Sequence, residues 1–314
     1  MTTTLAVHAD WSADARKRWL TRATRHGAGW HIAAPEPVGT LPTLFARLRA
    51  AAAGGAVALG VDLPLGLPRA YAAAHARQAD FPTFLRALAQ RPGFFQVCAT
   101  LTELSPERPF YPVRGAKGMT RAAHAAALGL GDAAGLSRLC DRATAERPAG
   151  APLFWTLGAN QTGKAAITAW RDLLLPALAA ADPPALWPFD GDLLALLARG
   201  GVVVAETYPA EAMRHFSLKM NGSKRRQADR AALAAPLAAV MAGLAAVPDA
   251  ALRAALADGF GADAAGEDRF DSVLGLLCVL NVLASRRPDG VPPDPWLRRW
   301  EGFVLGQTAL PPPR

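Results

Sequence analysis

The chain alternates short apolar runs that end abruptly on an acid with longer stretches whose apolar residues recur at helical spacing. Ala56 to Val61 is the clearest run, with β-branched Val57 and Val61, entered through Gly54-Gly55 and followed by Asp62. An uninterrupted run of this length reads as a strand buried on both faces. Pro64, Gly66 and Pro68 stop it in a rigid turn. Thr4 to Asp10 and Gly201 to Glu206 have the same form. After the first of these, Ala15 to Arg25 reads as a basic strand and Gly29 to Ala34 as a third one. Turns at Ser12-Ala-Asp14 and His26-Gly-Ala-Gly29 join them into a meander. Thr40 to Ala53, with Leu41, Leu44, Phe45 and Leu48 along one face, predicts a helix before the Asp62 strand.

Residues 69–200 are too long for one strand–helix unit and predict a mainly helical insertion or cap, with helices around Arg69–Gln78 and Phe81–Gln90. Within it, Arg108, Arg114, Lys117 and Arg121 interleave with Phe110 and Tyr111. That mixture suits a phosphate backbone with stacked bases, or an ordinary solvated loop. Leu153–Leu157, Gly158–Lys164 and Ala165–Leu175 have the strand, Gly-x-x-x-x-Gly-Lys, helix layout of a P-loop. Ala165 stands where a P-loop has its Mg²⁺-binding hydroxyl, so Lys164 and the helix-start amides would hold some other anion or only make a tight turn.

Further on, Lys219 to Arg230 is the densest basic segment. Lys224, Arg225 and Arg226 read as phosphate or nucleic-acid contacts, or as a solvated face. Ser223 is placed to cap a helix running to Ala246, with Pro236 as a break. Gly266 to Leu283 predicts a strongly apolar helix. Its Asp268 and Asp271, three apart in the first turn, share a face.

Composition narrows the class. At 314 residues with 51% hydrophobic and 19% charged residues, the chain is globular, as one large domain or two modest ones. Ser272–Ala284 is too short to span a bilayer and the N-terminus lacks a signal-like pattern, so a cytoplasmic protein without a membrane partner is expected. Three scattered cysteines suggest neither a disulfide framework nor a zinc site. A net charge of +8 favours an anionic partner, although an Arg-rich composition contributes to it.

Each strand-end acid, Asp10, Asp62 and Glu206, either caps its own turn or joins the others at one sheet edge. Together they would repel unless a cation sat among them. Asp268 and Asp271 strengthen the second reading, and hard carboxylate oxygens favour Mg²⁺ or Mn²⁺.

Asp10-Trp-Ser12, Gly60–Pro68, Ala205-Glu-Thr-Tyr-Pro209 and Asp268-Arg-Phe-Asp271, in this order, resemble the RNase H-like superfamily. The closest likeness is to a family of predicted nucleases with that fold. Leu157–Ala165 and Trp187–Gly191 also look like pieces of one branch of it. The resemblance implies an α/β fold: a mixed five-stranded sheet with flanking helices, its core formed by residues 1–68 and 201–314 around the insertion at 69–200. It further implies catalytic Asp10, Asp62 and Asp271, and two Mg²⁺ or Mn²⁺ ions held by these with Asp268. Glu206 has no sure counterpart and is an added or alternative ligand. The expected function is two-metal hydrolysis of phosphodiester bonds in DNA or RNA. The alternatives are a non-hydrolytic protein binding a nucleotide or phosphorylated ligand through the Gly158–Lys164 loop, and a degenerate member without turnover.

Overall fold

Apolar runs flanked by turn residues form the expected strands, and their pairing decides which side chains meet. The computed structural model describes residues 3–158 and 162–312. The chain divides into two compact units: Met1–Asp62 with Asp192–Gly290 and Val304–Gly306, and Leu63–Gly191 with Val291–Phe303 and Gln307–Arg314. The boundary falls immediately after Asp62. The segment Val291–Phe303, expected in the core, belongs to the second unit.

The first unit is α/β, with a mixed sheet flanked by helices. Its strands are β1 (Thr3–Asp10), β2 (Trp19–His26), β3 (Gly29–Ile32), β4 (Glu36–Pro37), β5 (Ala56–Val61), β6 (Val202–Glu206) and β7 (Ala246–Pro248). They run in the order β6-β5-β1-β2-β3-β7, with β4 beside β2. β1, β2 and β3 pair antiparallel, whereas β5 lies parallel to β1 and β6 parallel to β5. β5 and β6 are buried along their whole length and carry no polar alternation before the terminal acid, as parallel strands covered on both faces require. β2 keeps a polar side, and its end at Thr24–His26 is exposed while still paired with β3. The short β4 and β7 had no signal in the apolar pattern.

Helix α1 (Leu44–Ala51), α2 (Pro209–His215) and α3 (Gly266–Leu283) flank this sheet. α3 begins and ends where the apolar pattern predicts, and Phe270 to Val282 are all buried. It packs on β1, β2, β5 and α2. Two glycines allow that approach. A Cβ at Gly275 would clash with the His8 ring, and one at Gly60 would lie 2.6 Å from Val279 Cγ2. The start of α3 is fastened by Ser272, whose Oγ meets Thr21 Oγ1 at 2.7 Å and whose carbonyl accepts from His8 Nδ1 at 3.2 Å. His8 is fully buried, and burial lowers its pKa to about 3, so the ring is neutral and its δ-proton makes this bond.

The helix expected from Ser223 to Ala246 is broken into Gln227–Ala231 and Ala234–Gly243. Pro236 sits in the first turn of the second piece, where a proline costs no hydrogen bond, so the break precedes it. Ser223 does not cap the first piece; its hydroxyl accepts from Arg225 N at 3.3 Å.

The second unit, among its described residues, is built mainly of short helices and turns, with one two-residue strand at Ala185–Leu186. Phe94 meets Phe84, Phe110 and Phe154 edge-on, and Trp170 Nε1 donates to Pro64 O at 2.8 Å. The buried Arg138 guanidinium holds Asp141 and donates to Leu65 O and Glu301 O, which locks the Pro64–Pro68 turn. Among the described residues, no helix is long and apolar enough to cross a membrane.

Gly275→Ala is expected to lower the stability of the protein by about 1–3 kcal/mol, because the new methyl must displace His8 or lift α3. The measurement is the urea-unfolding midpoint, and an unchanged midpoint would contradict this packing.

Candidate metal centre

The site is assembled at the C-terminal ends of two adjacent parallel strands. Ala9 pairs with Val61, and Asp62 N donates to Ala9 O at 3.0 Å, so Asp10 and Asp62 are neighbours. Side chains alternate along a strand. His8 and Gly60 face α3, and Asp10 and Asp62, two residues further on, face the same way. α3 completes the group with Asp271, one residue before the Ser272 anchor. Asp10 and Asp271 are 8% and 9% exposed, and Asp62 between them is partly exposed.

Electrostatics record the crowding. Burial, then the charges of Asp271, Asp62 and Asp268, push the Asp10 carboxyl well above the ordinary range. Burial and the Asp271 charge raise Asp62 to about 7. Asp271 is also raised, by burial above all, although Lys224 opposes this. Asp268, half-buried in the first turn of α3, is raised to about 6, chiefly by burial. Its Oδ2 is buried and has no hydrogen-bond partner among the described residues.

The Lys224 ammonium enters this face from a neighbouring loop. Lys224 Nζ lies 2.8 Å from Oδ1 and 2.5 Å from Oδ2 of Asp271. Burial lowers the Lys224 pKa, but the charge and hydrogen bonds of Asp271 outweigh it and the net shift is upward. The loop carrying it is fastened at both sides. Asp229 Oδ2 accepts from Ser223 N at 2.8 Å and from Arg226 Nε at 2.6 Å. The buried Arg230 donates to the carbonyls of Lys224, Gly259 and Gly261.

The other expected residues lie elsewhere. Glu206 pairs with Val61, one position out of step with Asp62, so alternation sends its side chain to the opposite face of the sheet. It is fully buried there, and its charge makes only the last-ranked contribution to the Asp62 shift. Asp271 is the sixth residue of α3 rather than a first-turn acid, and neither it nor Asp268 caps the helix. Lys224 points into the acids instead of outward. Arg225 and Arg226 are exposed and pair with Glu267 at 3.9 Å and Asp229 at 2.6 Å.

Lys164, Arg114 and Lys117 belong to the second unit. Arg114 and Lys117 are exposed on a turn, but Phe110 and Tyr111 beside them are buried and offer no stacking surface. Lys164 sits in the helix Thr162–Ala169. The segment expected as its preceding strand is a turn with one isolated bridge, Tyr111 to Trp155. Gly163 is explained by packing: its Cβ would meet Trp155 O at 2.7 Å and Leu153 O at 2.9 Å. Ala159, Asn160 and Gln161, the middle of that loop, lie outside the described residues.

All four acids, Asp10, Asp62, Asp268 and Asp271, carry the hard oxygen donors that a divalent cation takes. One of these oxygens is orphaned, and the nearby His8 ring is sealed under α3. Because the folded pKa of Asp62 lies above its unfolded value, the folded state holds the extra proton between about pH 4 and 7. Stability from this group is present below that window and is lost as pH rises through it. Asp62→Asn is therefore expected to stabilise the metal-free protein by on the order of 1–3 kcal/mol above about pH 7, and by nothing measurable near pH 4. Urea-unfolding curves across that range test this, and an Asn variant less stable than wild type at pH 8 would contradict it.

No family model, curated protein or solved structure matches this chain.

Proposed function

We propose that the first unit is a divalent-cation-dependent nuclease with an RNase H-like core that hydrolyses phosphodiester bonds in DNA or RNA. The observation that carries this reading is the convergence of Asp10, Asp62 and Asp271, from two strand ends and a helix, on one face that also receives the Lys224 ammonium. The fold supports it in its coarser features: the sheet is mixed, its first three strands pair antiparallel and helices flank it, although the first unit has seven strands where five were expected.

Asp10, Asp62 and Asp271 would hold Mg²⁺ or Mn²⁺, with Asp268 at the rim. When bound, the cation supplies a water of lowered pKa and stabilises charge on the leaving oxygen. The chain's own groups do the rest. Asp268, half-buried and with its carboxyl raised to about 6, is suited to accept the proton of an attacking water. Lys17, whose charge acts on Asp268, and the exposed Arg225 make the rim of the acidic face positive. Such a rim draws a polyanion toward carboxylates that would otherwise repel it.

Asp10→Asn and Asp62→Asn are each expected to reduce Mg²⁺- or Mn²⁺-dependent cleavage of DNA or RNA by at least ~100-fold while the protein stays folded. Lys164→Ala is expected to leave the rate unchanged. Cleavage of labelled single- and double-stranded substrates checks both; an Asp10→Asn protein cutting at the wild-type rate would refute the assignment.

A further inference from the structure

Lys224 does more than balance a surface charge. Its ammonium engages both oxygens of Asp271, at 2.8 and 2.5 Å, and its side chain is only one-third exposed. The bonds of Asp229 and Arg230 to the surrounding backbone deliver it there, so its position is a property of the loop. It acts electrostatically on Asp62 and Asp10 as well as on Asp271. Asp10, Asp62 and Asp271 carry three negative charges when ionised and Lys224 leaves two of them uncompensated, with the half-buried Asp268 outside this group at the rim. One divalent cation neutralises that remainder. A second would have to displace the ammonium from Asp271 or share its oxygens, at close range to a like charge in poorly solvated space.

We infer that Lys224 is the resident cation of this face, standing in for one member of a metal pair, so that the site takes a single Mg²⁺ or Mn²⁺ ion. The inference rests on the metal-site reading above and departs from the two-ion expectation that accompanied it. Lys224 is here a positioning residue: it holds Asp271 and sets how many ions the acids accept.

The test is a count of bound Mn²⁺ at pH 8, read from the paramagnetic resonance signal of the free ion during titration of the full chain. Wild type and Lys224→Arg, which keeps the charge, are expected to bind one ion, and Asp10→Asn none. Lys224→Met, checked for wild-type circular dichroism, is expected to bind two. Two ions in wild type, both lost in Asp10→Asn, would overturn the inference and leave the metal site standing. One ion in a folded Lys224→Met protein would also overturn it, because Lys224 would not be what excludes the second. If Lys224→Met does not fold, the wild-type and Lys224→Arg counts decide. No Mn²⁺ bound by wild type would remove the metal-site reading and the inference with it.

Discussion

Three carboxylates repel one another at one edge of the sheet, and the first unit is arranged around that conflict. β1 and β5 are adjacent and parallel, so their terminal acids stand about one strand spacing, ~4.8 Å, apart. α3 adds Asp271 because His8, Thr21 and Ser272 fix its start and Gly275 lets it lie close to β1. A well-packed core gains no stability from such a cluster, since burying like charges costs free energy that packing must offset. The raised carboxyl pKa values of Asp10, Asp62 and Asp271 register that cost. Sites in which strain of this kind persists are commonly those where a ligand relieves it.

Much of this was legible in the sequence because the relevant signals are local. A buried strand announces itself as an apolar run, and an acid at its tip breaks the run visibly. Asp10, Asp62 and the start of α3 could therefore be placed from composition along a few residues. Glu206 shows where that logic stops. It ends its strand as Asp62 does, but the β5–β6 register pairs it with Val61, and an offset of one residue turns a side chain to the other face. Register is a property of two strands and is not written in either one. Lys224 was hidden for a related reason. Four basic residues lie within a few positions, and only the bonds of Asp229 and Arg230 decide which one turns inward.

The Gly158–Lys164 segment illustrates a motif that matched in letters but not in context. A phosphate-cradling loop needs a strand to aim it, and the residues before it form a turn. Gly163 is instead required by the backbone of Trp155 and Leu153 packed against it. The aromatic rings in the basic stretch near Phe110 belong to the core of the second unit, while Arg114 and Lys117 stay exposed. An aromatic residue among cations is a stacking platform only when its face is exposed.

The central claim is that a divalent cation relieves the repulsion among Asp10, Asp62 and Asp271. A thermal melt of wild type and Asp10→Asn, with and without Mg²⁺ or Mn²⁺ at pH 8, tests it most directly, because a ligand of the folded state alone raises Tm. The account predicts a metal-induced rise in wild type that Asp10→Asn abolishes. Equal shifts in both proteins, or none in either, would contradict it.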